Sequence, residues 1–285
     1  MDLIDLHAHS TQSDGSLTPT ELVRHARQLG LRAVALTDHD TIAGNDEAAR
    51  AGEELGVEVV PGVEMSSHYP TGTMHILGYY LDFRDQGLCN ELARLQQVRA
   101  ERNQVMTRKL QALGINIEFD EVLRLAGERG QVGRPHFARV LVDKGVVGSI
   151  DEAFQRYLKQ GAPAYSAKFR LPPKEAISLI RNAGGVAVLA HPFTLHLDDD
   201  PEKLAALLCE LKEQGLAGIE AIYSEHSPEQ EGLYLGVAQR CNLAVSGGSD
   251  FHGANKEGVE LGRGYGRMQV PYRLLEELKA RRGGK

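Results

Sequence analysis

Short apolar runs alternate with longer segments whose apolar positions recur every three or four residues, and this rhythm holds over most of the chain. The runs at residues 3–6, 32–36, 57–60, 186–190, 219–222 and 243–245 read as strands. The segments between them read as helices. Thr18-Pro19-Thr20-Glu21 is a helix start, with a capping hydroxyl, a proline at the first helical position and a glutamate three residues past the cap. Leu22, Val23, Ala26 and Leu29 then form an apolar stripe that Gly30 stops. Residues 45–55 are Ala- and Glu-rich and helical, with Gly56 ending them. Residues 65–67 and 75–80 flank Pro70-Thr71-Gly72-Thr73 and predict a hairpin.

The rhythm changes near residue 85. Apolar residues at helical spacing (Leu92, Leu95, Val98, Val105, Met106, Leu110) run through residues 88–113, and further helical segments are predicted at 119–126, 135–144 and 150–159, with no strand among them. Alternation resumes at Lys174. The pattern predicts an α/β strand–helix barrel formed by residues 1–84 and 168–285, interrupted by a helical insertion at 85–167.

Length and composition agree with a globular chain. The 285 residues are 42% hydrophobic and 25% charged, enough for a barrel-sized core and an insertion. No segment approaches the ~18 to 20 consecutive apolar residues of a membrane span, and the acidic start lacks the basic region of a secretion signal. Cys89, Cys209 and Cys241 are odd in number and scattered, so they are expected to be reduced thiols in a cytoplasmic protein. Charge changes the picture more. Residues 90–170 carry 14 Lys and Arg against 9 Asp and Glu, a net +5, whereas the remainder carries 18 against 30, a net −12. A total of −7 gives no footprint for duplex nucleic acid. Small anionic substrates fit better, with Arg134 at a glycine–proline helix entrance and Lys168 and Arg170 where the insertion rejoins the barrel as the candidate anion contacts.

The candidate chemistry lies at strand ends. His7-Ala8-His9 closes the first strand, and residues two apart on an extended chain point the same way, so both imidazoles can face one ion. Such a pair is weak alone. Asp14, Asp38-His39, Glu64, His75, His191 and Asp250-Phe251-His252 repeat the same ligand types, mostly beside predicted strand ends. In a strand–helix barrel those ends converge on the face that carries active sites. Imidazole and carboxylate without clustered thiols suit Mn, Fe, Zn or Co in an open, water-activating site. Glu64 and Asp250 are the central carboxylates, and His196 and His226, on loops at the same face, are candidates for protonating a leaving group.

The ordered series His7-x-His9, Asp14, Asp38-His39, Pro61-Gly62-Val63-Glu64, His75, His191-Pro192 and Ser249-Asp250-Phe251-His252 resembles the PHP (polymerase and histidinol phosphatase) metallophosphoesterases, relatives of the amidohydrolases. The likeness spans almost the whole chain. Ser13-Asp14-Gly15-Ser16-Leu17-Thr18-Pro19, Thr37-Asp38-His39-Asp40-Thr41 and Gly133-Arg134-Pro135-His136 are most similar to the 3′,5′-nucleoside bisphosphate phosphatase branch and its RNA 5′-end exonuclease relatives. The resemblance implies a distorted (β/α)7 TIM-like barrel capped by the insertion, and three divalent ions, Mn foremost, with Zn, Fe, Co or Mg as alternatives. It assigns one ion to His7, His9, Glu64 and Asp250, a second to Glu64, His75 and His191, and a third to Asp14, His39 and His252. Asp38 would orient a neighbouring imidazole or loop.

The activity so implied is removal of the 3′-phosphate from 3′,5′-bisphosphonucleosides. A small nucleotide is the expected substrate, short RNA ends or another small phosphoester are alternatives, and neither a membrane nor a protein partner is indicated. Two other classes stay open on the residues alone: hydrolysis of a C–N bond, which a His-x-His strand also serves, and a non-catalytic metal-stabilised nucleotide-binding module. The cationic residues favour phosphate over the first, and a ligand set that leaves coordination positions open favours catalysis over the second.

Overall fold

A computed structural model describes residues 2–126, 132–167 and 169–282. The chain divides into two compact units, one of residues Met1–Asn90 and Arg170–Lys285 and the other of Glu91–Phe169. The first unit is an α/β barrel. In chain order it contains β1 (Ile4–Asp5), α1 (Pro19–Gln28), β2 (Ala33–Leu36), α2 (Asn45–Leu55), β3 (Glu58–Ser67), β4 (Met74–Tyr79) and the start of α3 (Gln86–Ala112). After the second unit it continues with α7 (Pro173–Asn182), β5 (Val186–Leu189), α8 (Pro201–Glu213), β6 (Gly218–Tyr223), α9 (Pro228–Arg240), β7 (Ala244–Gly248) and α10 (Arg273–Ala280).

The seven strands lie in sequential order, β1 to β7. Leu6 N donates to Gly247 O at 3.1 Å, so the first strand's continuation meets the last and the sheet nearly closes. Strand pairs are parallel except around β4, which runs antiparallel to both β3 and β5. That reversal is the distortion. A two-residue side-chain period sorts the layers: Ala33 and Ala35 join the barrel interior with Ile4, Leu6 and Val188, while Val34 and Leu36 pack outward with Leu22, Val23, Ala48 and Ala51. At α1, Thr18 accepts from Glu21 N and the Glu21 side chain accepts from Thr18 N, the reciprocal cap expected from sequence.

The second unit is helical, with the rest of α3, α4 (Phe119–Ala126), α5 (Arg134–Asp143) and α6 (Ile150–Ala153), which runs on into a π-helical turn at Phe154–Leu158. Met106, Leu110, Ile117, Val122, Phe137, Leu141 and Leu158 form its own core.

Two expectations change. Residues 57–60 and 65–67 are one ten-residue strand, β3, because it switches partners: through Pro61 it pairs with β2, and from Gly62 onward with β4. Proline and glycine there mark the exchange rather than a break. Cys209 and Cys241, expected as separate thiols, form a disulfide, with Cα atoms 5.4 Å apart. They are 32 residues apart in sequence, but α8 packs beside α9 and brings the middle of one helix to the end of the other. Cys89 is free. Among the described residues, no helix is long and apolar enough to cross a membrane.

Candidate metal centre

Glu64 is the centre of the site. It sits mid-strand in β3, fully buried, and five imidazoles converge on its carboxylate. Oε1 lies 2.7 Å from His75 Nδ1 and 2.9 Å from His191 Nε2. Oε2 lies 2.8 Å from His39 Nδ1, 3.4 Å from His9 Nε2 and 3.5 Å from His7 Nε2. Each histidine comes from a different segment at the strand ends except His7 and His9, whose two-residue spacing turns both Nε2 atoms the same way. Both also face Asp250 Oδ1, at 3.3 and 3.1 Å. Asp14 completes the far side, 3.2 Å from His252 Nε2 and 3.7 Å from both His39 Nε2 and His9 Nδ1.

The fold holds these groups by uncommon backbone. His191 has φ 23° and Asp250 φ 55°, in a region that side chains seldom adopt and that occurs where surrounding structure enforces it. Gly248 is needed for close approach, since a Cβ there would lie 2.4 Å from the Cβ of His7. Buried carboxylates then lock the ligands from behind. Glu220 meets His7 Nδ1 at 3.0 Å with Oε1 and accepts from His191 N at 2.8 Å with Oε2. Asp5 accepts from His7 N, Ser249 N, Ser249 Oγ and Gly262 N, joining the first and last strand ends. Asp38 accepts from Ser10 N, Ser10 Oγ and Ser13 Oγ, fixing the loop between His9 and Asp14. Asp40 does the same for Ser66, through its N and Oγ.

Electrostatics favours a multivalent cation. Burial alone would raise the Glu64 carboxyl, but His39, His75 and His7 hold it well below the usual range. Asp250 is lowered in the same way, burial being outweighed by His7, His9 and His252. Burial, with His252 beside it, brings His9 down to about 3, and burial against the pull of Glu64 brings His75 down to about 4. His7 goes the other way, because Glu220, Asp250 and Glu64 overcome its burial and raise it. His9 and His75 are thus kept as neutral imidazoles, whereas His7 is drawn toward its charged form by the same carboxylates that would attract a cation.

Unsatisfied atoms fit the same conclusion. Buried His7 Nε2, His9 Nε2 and Glu64 Oε2 have no hydrogen-bond partner, and such buried polar atoms are costly unless a ligand completes them. Three overlapping groups have ligand atoms within 4.8 Å of one another: His9, Asp14, His39 and His252; His7, His9 and Glu64; and His39, Glu64 and His75. Divalent metal ions therefore fit this donor set, and the all-imidazole and carboxylate ligation suits Mn, Fe, Zn or Co.

The other expected residues are not among these converging groups. His226 is enclosed, its Nδ1 2.9 Å from Ala221 O and its Nε2 without a partner. His196 is exposed at the end of the turn Pro192–Leu195, with φ 56°. Arg134, in the helical unit, donates to Leu158 O at 3.3 Å and lies 5.8 and 5.7 Å from the Phe154 and Tyr165 rings. Arg170, in the barrel unit, has a buried Nε with no hydrogen-bond partner, and Lys168 falls outside the described residues. Sequence reasoning gave no role to Glu220, Tyr223 or Lys256. Glu220 carried a signal, being a carboxylate inside the apolar run Gly218-Ile219-Glu220-Ala221-Ile222. Lys256 carried none.

Comparison with known proteins gives the family of the chain. The PHP domain model matches residues 5–213. The 3′,5′-nucleoside bisphosphate phosphatase of Chromobacterium violaceum is 35% identical over 278 residues, spanning 98% of this chain and 97% of that protein. A 5′-3′ exoribonuclease of Haemophilus influenzae is 38% identical over 248 residues, 87% of this chain and 89% of its own. A crystal structure from Bifidobacterium adolescentis, described as a metal-dependent phosphoesterase, superposes with a TM-score of 0.83 at 32% identity, covering 99% of this chain and 97% of that one.

Proposed function

The chain belongs to the PHP domain family, and from that premise we propose that it is a metal-dependent phosphohydrolase that removes the 3′-phosphate from 3′,5′-bisphosphonucleosides. The observation that carries this reading is the Glu64 cluster: one buried carboxylate shared by five imidazoles, with ligand atoms left unsatisfied, in a chain similar end to end to a bisphosphate phosphatase.

His7, His9, Glu64 and Asp250 would hold one ion, Glu64, His75 and His191 a second, and Asp14, His39 and His252 a third, with Mn the leading candidate. Bound ions would supply an activated water and charge neutralisation for phosphoryl displacement. The protein's part is to keep Glu64 and Asp250 ionised, which the surrounding imidazoles do, and to hold the imidazoles in one tautomer, which Glu220 does at His7. Of the two candidates for protonating a leaving group, exposure favours His196 over the enclosed His226. The unreacted phosphate would be held by Arg170, whose Nε lacks a partner, while Arg134 and Lys168 keep only the anion-contact role that the cationic sequence pattern gives them. A cytoplasmic setting belongs to the same proposal, its support being the nucleotide substrate class; the Cys209–Cys241 bond lends it none.

A second reading has its own support: the similarity to the H. influenzae exoribonuclease suggests short RNA ends as substrates of the same centre. Chromatography separates them. Incubation of the Mn-loaded protein with 3′-phosphoadenosine 5′-phosphate should yield the 5′-monophosphate and inorganic phosphate. Accumulation of the 3′-monophosphate, or turnover of oligoribonucleotides but not of the bisphosphate, would overturn the first reading.

A further inference from the structure

Asp250 uses its two oxygens differently. Oδ1 faces the imidazoles of His7 and His9, at 3.3 and 3.1 Å. Oδ2 is turned away from them and accepts from Tyr223 OH at 2.8 Å and from Lys256 Nζ at 2.9 Å. Lys256 also donates to Tyr223 OH at 3.2 Å and pairs with Glu225 Oε1 at 2.6 Å, so its three ammonium protons all have acceptors.

We propose that Tyr223 and Lys256 are positioning residues that fix the Asp250 carboxylate in one orientation, reserving Oδ1 for the cation it shares with His7 and His9. This rests on the metal reading above. The need for such a clamp follows from where Asp250 sits. It lies just past the end of β7 at φ 55°, outside the sheet ladder, and its carboxylate is free to rotate about its terminal bond unless donors hold it. Two donors on one oxygen, one of them an ammonium, set the plane of the carboxylate and leave the other oxygen's lone pairs toward the imidazoles. Tyr223 is itself held. It ends β6 at 6% exposure, its ring 5.5 Å from His191 and 5.8 Å from Phe193. The clamp therefore links Asp250 to a second candidate ligand through one aromatic ring.

A plain surface ion pair is the competing explanation for Lys256, whose side chain is 22% exposed, and it predicts a change in folding stability alone. Metal affinity separates the two. Metal-stripped wild type, Tyr223→Phe, Lys256→Met and Lys256→Arg would be titrated calorimetrically with Mn2+, and their melting compared in chelator. Tyr223→Phe, which changes no charge, and Lys256→Met should each weaken Mn2+ binding ~10–100-fold, the range in which partners behind a ligand act, while Lys256→Arg recovers most of it. Wild-type Mn2+ affinity in both Tyr223→Phe and Lys256→Met would overturn the clamp, whether or not melting shifts. A wild-type protein that takes up no Mn2+ would instead overturn the metal reading on which the clamp rests.

Discussion

Glu64 in the barrel unit and Glu152 in the helical unit carry the same carboxylate, and their surroundings make them opposites. Glu152 meets Arg156 one helical turn away at 2.7 Å and caps Gly148 N at 2.8 Å, with both charged side chains in solvent. Water can replace either partner at little cost, as is usual for exposed pairs. Glu64 is shut off from water and shared among five histidines from four segments of the chain. No water can take over there, so a substitution leaves several buried groups unsatisfied at once. Charge at the Glu64 cluster is thus concentrated and interdependent, whereas pairs such as Arg139–Asp143 and Arg156–Glu152 in the helical unit are local and replaceable.

The comparison breaks most readily at its centre. Glu64→Gln keeps the shape and removes the charge, and kcat/KM for the bisphosphate should fall at least ~100-fold, with Asp250→Asn close behind. Full turnover in either variant would mean that the cluster is not the reacting centre. Glu220→Gln tests whether interdependence extends one layer back. It should cost ~10–100-fold in metal affinity or activity by loosening His7, and a variant with unaltered metal affinity and rate would confine the shared network to the ligands themselves. Arg170→Ala should lose the ~1.5–3 kcal/mol of a charge-assisted hydrogen bond in kcat/KM on a bisphosphate and much less on a monophosphate. Equal losses on both would remove Arg170 from phosphate binding. The smallest effect belongs to the helical unit: Arg156→Ala should leave the midpoint of denaturant unfolding almost unchanged, and a large drop in that midpoint would show that exposed pairs there matter as much as buried ones.

Much of this contrast is visible along the chain. Apolar runs place the strands, and ligand-type residues at their ends mark where the Glu64 cluster gathers, because strand period and strand-end convergence are local rules. His7-x-His9 is the clearest case, since a spacing of two on an extended chain suffices to turn both rings together. The supporting carboxylates were less legible. Asp5 and Glu220 act through backbone amides and imidazoles of distant segments, which only closure of the sheet brings near. Lys256 reads as an ordinary loop lysine until the turn after β7 folds it onto Asp250. The disulfide escaped for the same reason, because cysteine spacing says nothing of how α8 packs on α9. In β3, Pro61-Gly62 looked like a break because a change of strand partner leaves no pattern distinct from a turn.

Metal content tests the shared carboxylate most directly. Wild type and Glu64→Gln, each loaded with Mn2+ and desalted, can be compared by elemental analysis, with circular dichroism confirming that both are folded. If Glu64 joins the ion sites, wild type should retain more than one equivalent of metal and the single substitution should remove at least two. A folded Glu64→Gln protein that keeps the wild-type metal content would contradict the account.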